Sequence, residues 1–194
     1  LAFALDPDGY WVEIVVRSPS SLAAVPNKFT FAQTMLRVKD PVKSLVFYKE
    51  QLGMTLLRHS HFSDFSLYFL ACVSPEDLAR LGPTPNPAAP EASEYIKNMF
   101  GPVLELTHNH GTEDDLEFSY HNGNDEDKGQ VRGFGHTGFL CDDLDAACAD
   151  LEAKGVLFKK RPQEGSMRGL AFAYDPDNYW VEIIQRGGIS LTEA

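Results

Sequence analysis

A near-identical repeat is the feature that most constrains how this 194-residue chain can fold. Residues 1–14 are LAFALDPDGYWVEI and residues 170–183 are LAFAYDPDNYWVEI, so twelve of the fourteen positions are identical. A repeat at this level indicates duplicated structural units. The chain starts without Met and inside an expected strand, which predicts a fragment of a longer protein. We assign residues 1–16 to the C-terminal strands of a preceding truncated copy, 17–28 to a Ser/Pro/Ala-rich linker, 29–187 to one complete copy and 188–194 to a tail.

A weaker repeat divides the complete copy into two modules. Phe31–Thr34 aligns with Phe134–Thr137, and Asp40 with Asp143, at one constant offset of 103 residues. Each segment is followed by an amphipathic helix that ends at a glycine, and then by three strands. The helices are predicted at 41–52 and 144–154, and the later strands at 55–58, 66–72, 103–107, 157–160, 170–174 and 179–185. The fold class is therefore α+β, with paired βαβββ modules at about 29–108 and about 131–187, whose mixed sheets we expect to curl.

Module one has an additional segment at 74–101 whose centre, LGPTPNPAAP, carries four prolines. Proline at this density is incompatible with a central strand, so we predict a surface excursion. A second polar stretch, 109–128, joins the two modules.

Charge and composition exclude several classes of function. The net charge of −11 repels phosphate backbones, and the longest basic run is only Lys159-Lys160-Arg161, so we expect no nucleic-acid partner. No apolar run approaches the roughly 20 residues that cross a bilayer, and the first residues lack a basic leader, so no membrane partner or signal peptide is expected. Three cysteines without a pairing pattern fit free thiols in a reducing compartment, and we expect a cytoplasmic protein, with an organelle left open.

Strand alternation places four polar side chains at matching positions in the two modules. Gln33 and Glu105 lie on one face of the first and last strands of module one, and His136 and Glu182 do the same in module two. A glutamine, a histidine and two glutamates together suit zinc, nickel, cobalt or manganese. Residues of these types are also common on the solvated face of a sheet, and His136 could simply bond a backbone carbonyl. Spacing alone therefore leaves both the metal and the reaction undecided.

Seven segments, in a fixed order, resemble glyoxalase I, a member of the vicinal-oxygen-chelate superfamily that is built from paired βαβββ modules. They are QTMLRVKDP (33–41), FYKEQLGM (47–54), FSLYFLA (65–71), LELTHNHGTEDD (104–115), YHNGN (120–124), RGFGHTG (132–138) and GLAFAYDPDNYWVEI (169–183). Together they cover most of residues 29–186.

The resemblance implies an activity and a role for each site residue. The activity is the isomerisation of the methylglyoxal–glutathione hemithioacetal to S-lactoylglutathione, by metal-assisted proton transfer through an enediolate. The metal ligands implied are Gln33, Glu105, His136 and Glu182, of which Glu182 and Glu105 also act as bases on the two substrate enantiomers. The substrate-binding positions implied are Arg37, Asn109, Arg132, Lys160 and Met167. Met35, Phe65, Leu67, Phe69 and Trp180 resemble the apolar lining, although core packing explains each of these equally well.

The resemblance also implies a cofactor and an assembly. It implies one divalent metal per site and glutathione as co-substrate. Zinc is favoured because Gln33 and the long 74–101 excursion resemble the zinc-type enzymes, with nickel or cobalt as alternatives. Sites in this family combine module one of one copy with module two of another. The chain is therefore expected to hold two incomplete sites, Glu13/Gln33/Glu105 and His136/Glu182, which a homodimer or a preceding tandem copy would complete.

Two other functions stay open at this stage. One is another vicinal-oxygen-chelate metalloenzyme, although Gln33 at a ligand position argues against the two-histidine-one-carboxylate iron site of a dioxygenase. The other is a non-catalytic copy within a tandem protein.

Overall fold

The computed structural model describes residues 1–15, 30–124, 132–165 and 167–187. The predicted linker at 17–28 and the tail at 188–194 lie outside these residues. Within the described part, no helix is long and apolar enough to span a membrane.

The complete copy contains two four-stranded mixed sheets with the same topology. The first sheet has the strands β3 (Gln33–Arg37), β4 (Thr55–His61), β5 (Phe65–Ala71) and β6 (Val103–Asn109) in the order β3-β6-β5-β4. The second has β7 (His136–Cys141), β8 (Phe158–Lys160), β9 (Leu170–Tyr174) and β10 (Trp180–Gln185) in the order β7-β10-β9-β8. In each sheet the first and last strands are parallel and adjacent, and the other pairs are antiparallel. The predicted βαβββ modules are confirmed.

The N-terminal repeat forms a separate two-stranded hairpin of β1 (Ala2–Leu5) and β2 (Trp11–Ile14). Its register, Phe3 opposite Glu13, reproduces that of β9–β10, where Phe172 lies opposite Glu182. The connecting turns also match: the side chain of Asp6 accepts bonds from the backbone N–H groups of residues 8 and 10, as that of Asp175 does from residues 177 and 179. The repeat in sequence is therefore a repeat in structure.

An aspartate side chain begins the main helix of each module. Asp40 caps α1 (Pro41–Leu45) by accepting bonds from two backbone N–H groups, and Asp143 caps α4 (Leu144–Ala153) in the same way through one. The first helix differs from the prediction, because beyond Leu45 it continues as a π-helix over Val46–Gln51. The wider turn brings two consecutive aromatic residues, Phe47 and Tyr48, into the core together.

The excursion in module one contains two short helices that the sequence pattern does not predict. They are α2 (Pro75–Leu81), capped by Ser74, and α3 (Glu91–Asn98), and the proline-rich centre between them is irregular, as expected. Tyr95 of α3 and the adjacent Met99 pack with Val103 of β6 in a small second core. The excursion is thus attached to the sheet beside Gln33, at the start of β3.

One large core joins the two modules. Leu36 and Leu106 of the first sheet share it with Ala173 and Val181 of the second, and α1 and α4 contribute to it from both sides. The apolar faces predicted from alternation are the faces that are buried here. The opposite faces of the sheets, which carry the polar residues of interest, stay free of this core.

Candidate metal-binding site

The two modules place their polar pairs by one shared register. Gln33 is paired with Val103, two residues before Glu105, and His136 is paired with Trp180, two residues before Glu182. Side chains two residues apart on adjacent strands share a face and lie close enough to touch. Each module therefore brings one neutral ligand-type residue against one carboxylate, as alternation predicts.

In module one the amide of Gln33 lies between two carboxylates. Its Nε2 donates a 2.7 Å hydrogen bond to Oε2 of Glu105 and a 2.8 Å bond to Oε2 of Glu13 in the hairpin. Glu105 is buried. The pKa of Glu105 is raised to about 7, mainly by burial and also by the nearby Glu13, while a hydrogen bond from Thr107 opposes the rise. Two acidic groups thus converge on a single amide.

In module two the imidazole of His136 faces the carboxylate of Glu182. Their Nε2 and Oε2 atoms are 3.3 Å apart, and His136 is markedly more exposed, with side-chain exposures of 42% and 16%. The ring of Phe172 meets the imidazole edge-on, with 5.4 Å between ring centroids. His136 and Glu182 are therefore two potential metal ligands, side by side on an open face. The four-ligand site that the sequence predicts needs two more.

The hairpin contributes Glu13 to the module-one group, and this glutamate corresponds to Glu182 of module two. Glu13 holds the same place in its hairpin as Glu182 does in β9–β10, and each lies opposite a phenylalanine, Phe3 or Phe172. Glu105 also lies opposite a phenylalanine, Phe69. The group Glu13/Gln33/Glu105 therefore combines a first-module pair with a second-module glutamate, which is the arrangement expected for an incomplete site.

The donor set fits a hard or borderline divalent metal. Within the described residues, no three His, Cys, Asp or Glu side chains lie together in a way that could hold a metal ion. Glu13 and Glu105 are nevertheless held together by one amide, and a cation there would offset their mutual repulsion. An amide also offers either its N–H or its oxygen to the same position when it turns over, so Gln33 can switch from donor to ligand. Carboxylate, amide and imidazole donors suit zinc, nickel, cobalt or manganese.

The remaining predicted residues are divided between the modules. Arg37 lies on β3 on the same face as Gln33, and Asn109, at the end of β6, donates a 3.0 Å bond to the hydroxyl of Tyr120. Lys160 ends β8 and donates to the backbone oxygens of Arg161 and Leu170 at 3.3 and 2.9 Å. Arg132 and Met167 lie exposed in loops of module two. The structure therefore brings Arg37 to the Gln33 face, while Lys160 is bonded within its own module.

Two contacts at or near these sites were not predicted. The segment 122–124 contacts the backbone just before His136, and its only signal in the sequence is that it belongs to the YHNGN motif. The second is a buried 2.8 Å bond from the Tyr48 hydroxyl to Asp175, which joins the helix of module one to the β9–β10 turn of module two. Both contacts join residues that are far apart in the sequence or lie in irregular segments. The periodicity of the sequence therefore cannot predict them.

Known proteins resemble this chain in sequence and in fold. Residues 30–183 match the Glyoxalase/Bleomycin resistance protein/Dioxygenase superfamily. The lactoylglutathione lyase of Schizosaccharomyces pombe is 43% identical over 96% of this chain and 55% of its own length. The lactoylglutathione lyase of Pseudomonas putida is 48% identical over 81% of this chain and 86% of its own length. The crystal structure of glyoxalase I from Zea mays aligns with a TM-score of 0.57 at 26% identity, over 82% of this chain and 45% of that one. The chain thus spans about half the length of the fission-yeast and maize proteins.

Proposed function

This chain belongs to the Glyoxalase/Bleomycin resistance protein/Dioxygenase superfamily, and within it we propose that the chain carries lactoylglutathione lyase activity. The substrate is the hemithioacetal that forms from methylglyoxal and glutathione, and the product is the thioester S-lactoylglutathione. The reaction moves a proton from C1 of the hemithioacetal to C2, and its cellular role is methylglyoxal detoxification. We propose a cytoplasmic location, with an organelle left open.

The convergence of Glu13, Gln33 and Glu105 is the observation that carries this proposal. The two bonds of 2.7 and 2.8 Å from one amide show that side chains from the hairpin and from module one meet at one point. Glu13, Gln33 and Glu105 would hold a divalent metal, which would supply electrostatic stabilisation for the negative charge that develops on the substrate. Zinc is the metal we favour.

The glutamates move the proton. Glu182 takes the C1 proton from one hemithioacetal enantiomer and returns it to C2, and Glu105 does the same for the other. Each lies opposite a phenylalanine, which keeps one side of the carboxylate apolar. A low-dielectric wall of this kind limits the exchange of the abstracted proton with water.

The basic residues hold glutathione against an acidic protein. Glutathione carries two carboxylates, and the protein has a net charge of −11, so binding requires local cations. Arg37 and Arg132 supply guanidinium groups that can bind a carboxylate through two hydrogen bonds. Asn109, Lys160 and Met167 complete the substrate contacts that the family resemblance implies.

A second module from another copy completes each site. Module one has Glu13 in place and needs an imidazole from a strand beside β2, as β7 lies beside β10. We propose that a preceding tandem copy or a homodimer supplies it. Sedimentation that shows only monomer with full activity would exclude the homodimer.

The test of this function is the isomerase assay on matched variants. In a homodimer, where His136 and Glu182 of one copy complete the Gln33/Glu105 site of the other, Glu182→Gln should abolish most turnover and leave metal content unchanged, because the amide keeps a ligand oxygen and loses the base. Glu50→Gln, at an exposed helical site, is the control and should match the wild type. Turnover by Glu182→Gln close to that of the wild type would refute the assignment of the base. Absence of thioester formation by the metal-loaded wild type would refute the function itself.

A further inference from the structure

The backbone that leads into His136 is irregular and contains two glycines. His136 is the first residue of β7, and Gly133, Phe134 and Gly135 precede it outside the sheet. Glycines have no side chain with which to fix a backbone by packing, and their dihedral angles are permissive. Phe134 between them packs edge-on against Tyr179, with 5.8 Å between ring centroids, but the glycine next to His136 has to be held through its backbone.

In module one, the backbone just before the corresponding ligand is held by a hydrogen bond within the first sheet. Gln33 is also the first residue of its strand, and the carbonyl just before it, that of Ala32, accepts a 2.9 Å bond from the backbone N–H of Val103. At the equivalent place in module two, the carbonyl of Gly135 accepts a 2.5 Å bond from the side-chain amide of Asn124. The same amide donates a 3.1 Å bond to the carbonyl of Phe134. One side chain in module two thus holds the two carbonyls before the imidazole.

Asn124 is the last residue of a short segment, residues 122–124, which we call the strap. The rest of the strap holds Asn124 in place. The side chain of Asn122, which is buried, accepts a 2.8 Å bond from the backbone N–H of Asn124. The carbonyl of Gly123 accepts a 2.9 Å bond from Gly133, on the other side. The approach at Gly123 is so close that an added Cβ would lie 2.1 Å from the oxygen of Phe134. The strap and the segment before His136 therefore form one interlocked backbone unit.

We propose that Asn124 is a positioning residue that sets the placement of the His136 imidazole for metal binding. The inference depends on the proposed function only in taking His136 as a metal ligand. Groups that orient a ligand from outside the coordination sphere commonly change metal affinity by about 10- to 100-fold. Asn124 acts one step further back, through the backbone that carries the ligand, and we expect a loss at the lower end of that range.

The test compares Asn124→Leu with Asn86→Leu. Leucine keeps the shape of asparagine and removes both amide bonds. Asn86 is an exposed asparagine in the excursion whose side-chain oxygen accepts a bond from the N–H of Ala88, so it controls for the substitution itself. A zinc titration is followed at the His136 ring signal by NMR with labelled histidine, assigned through His136→Gln. We expect about 10-fold weaker zinc binding at this signal and a shifted, broadened ring resonance in metal-free Asn124→Leu, with Asn86→Leu unchanged.

An unshifted His136 resonance with unchanged zinc affinity in a folded Asn124→Leu protein would overturn the proposal. The wild type provides a second measurement if that variant does not fold. The side-chain amide protons of Asn124 should exchange with water much more slowly than those of Asn86, and equal rates would also overturn it. If the wild type binds none of zinc, nickel and cobalt, the proposed function fails, while the ring resonance and the exchange rates still decide the role of Asn124.

Discussion

The buried contact between Tyr48 and Asp175 should make the stability of the protein depend on pH in an unusual direction. Burial raises the pKa of Asp175 to about 7 from its ordinary 3.8, while hydrogen bonds from Tyr48 and from the backbone N–H groups of Tyr179 and Asp177 oppose the rise. The folded state therefore binds a proton that the unfolded state releases at lower pH. The stabilisation is complete below the unfolded pKa and is lost as the pH rises through about 7.

The size of the effect follows from the two pKa values. Between pH 5 and pH 8, a group that shifts from 3.8 to about 7 on folding lowers the free energy of unfolding by about 2.5 kcal/mol. Asp175→Asn removes the titration and keeps an oxygen for the backbone N–H groups of residues 177 and 179. The Tyr48 hydroxyl can then accept a bond from the new amide, so the substitution is nearly isosteric.

The assay is urea unfolding of the wild type and Asp175→Asn at several pH values from 5 to 8. Subtracting the two curves removes the contribution of every other titrating group. We expect the wild type to lose about 2.5 kcal/mol relative to the variant across this range. A constant difference across the range would refute the reasoning and show that Asp175 is ionised throughout.

Three further outcomes are expected. Gly123→Ala should lower the free energy of unfolding by about 3 kcal/mol, because its Cβ meets the Phe134 backbone. Gly111 is also at positive φ but has open space around it, so Gly111→Ala should cost only about 1 kcal/mol in the same denaturant titration. Equal losses would contradict the close approach at Gly123. Arg37→Met should raise KM for the hemithioacetal about 10-fold or more with little change in kcat, as expected for a lost charged hydrogen bond of about 1.5–3 kcal/mol. The control Lys43→Met, at an exposed position on α1, should leave both constants unchanged. A loss confined to kcat would assign Arg37 another role. Metal reconstitution should give higher activity with zinc than with nickel, and the reverse order would overturn the choice of zinc.

The sequence was enough to predict the modules, the strand faces and the pairing of the site residues. The repeat at 1–14 and 170–183 predicted equivalent strands in both segments, and in the structure both segments form hairpins with one register, down to the phenylalanine opposite each glutamate. Alternation along the strands predicted that Gln33 and Glu105 share a face of the sheet. The parallel pairing of the first and last strands then brings these two side chains together. These features depend on local periodicity and on duplication, both of which are visible in a single chain.

Features that depend on contacts between distant or irregular segments were not predictable. The π-helix at Val46–Gln51 exists because Phe47 and Tyr48 are both drawn into a core shared with the second module. The helices α2 and α3 are short and proline-bounded, so their pattern was too weak to detect. The bonds of Asn124 connect a turn to a glycine-rich segment, and neither has a period from which a partner could be inferred.

Locating bound zinc by anomalous diffraction from crystals of the metal-loaded protein tests the central claim most directly. We expect a peak beside Gln33 and Glu105, joined by Glu13 or by a second copy's module two, with ligand atoms at about 2.0–2.2 Å. The chain offers a competing location in the histidines of the first sheet, where His61 and His110 both contact the hydroxyl of Ser66 at 3.0 and 2.9 Å. Zinc found only among those histidines, with Gln33 and Glu105 left without metal, would refute the proposed metal site.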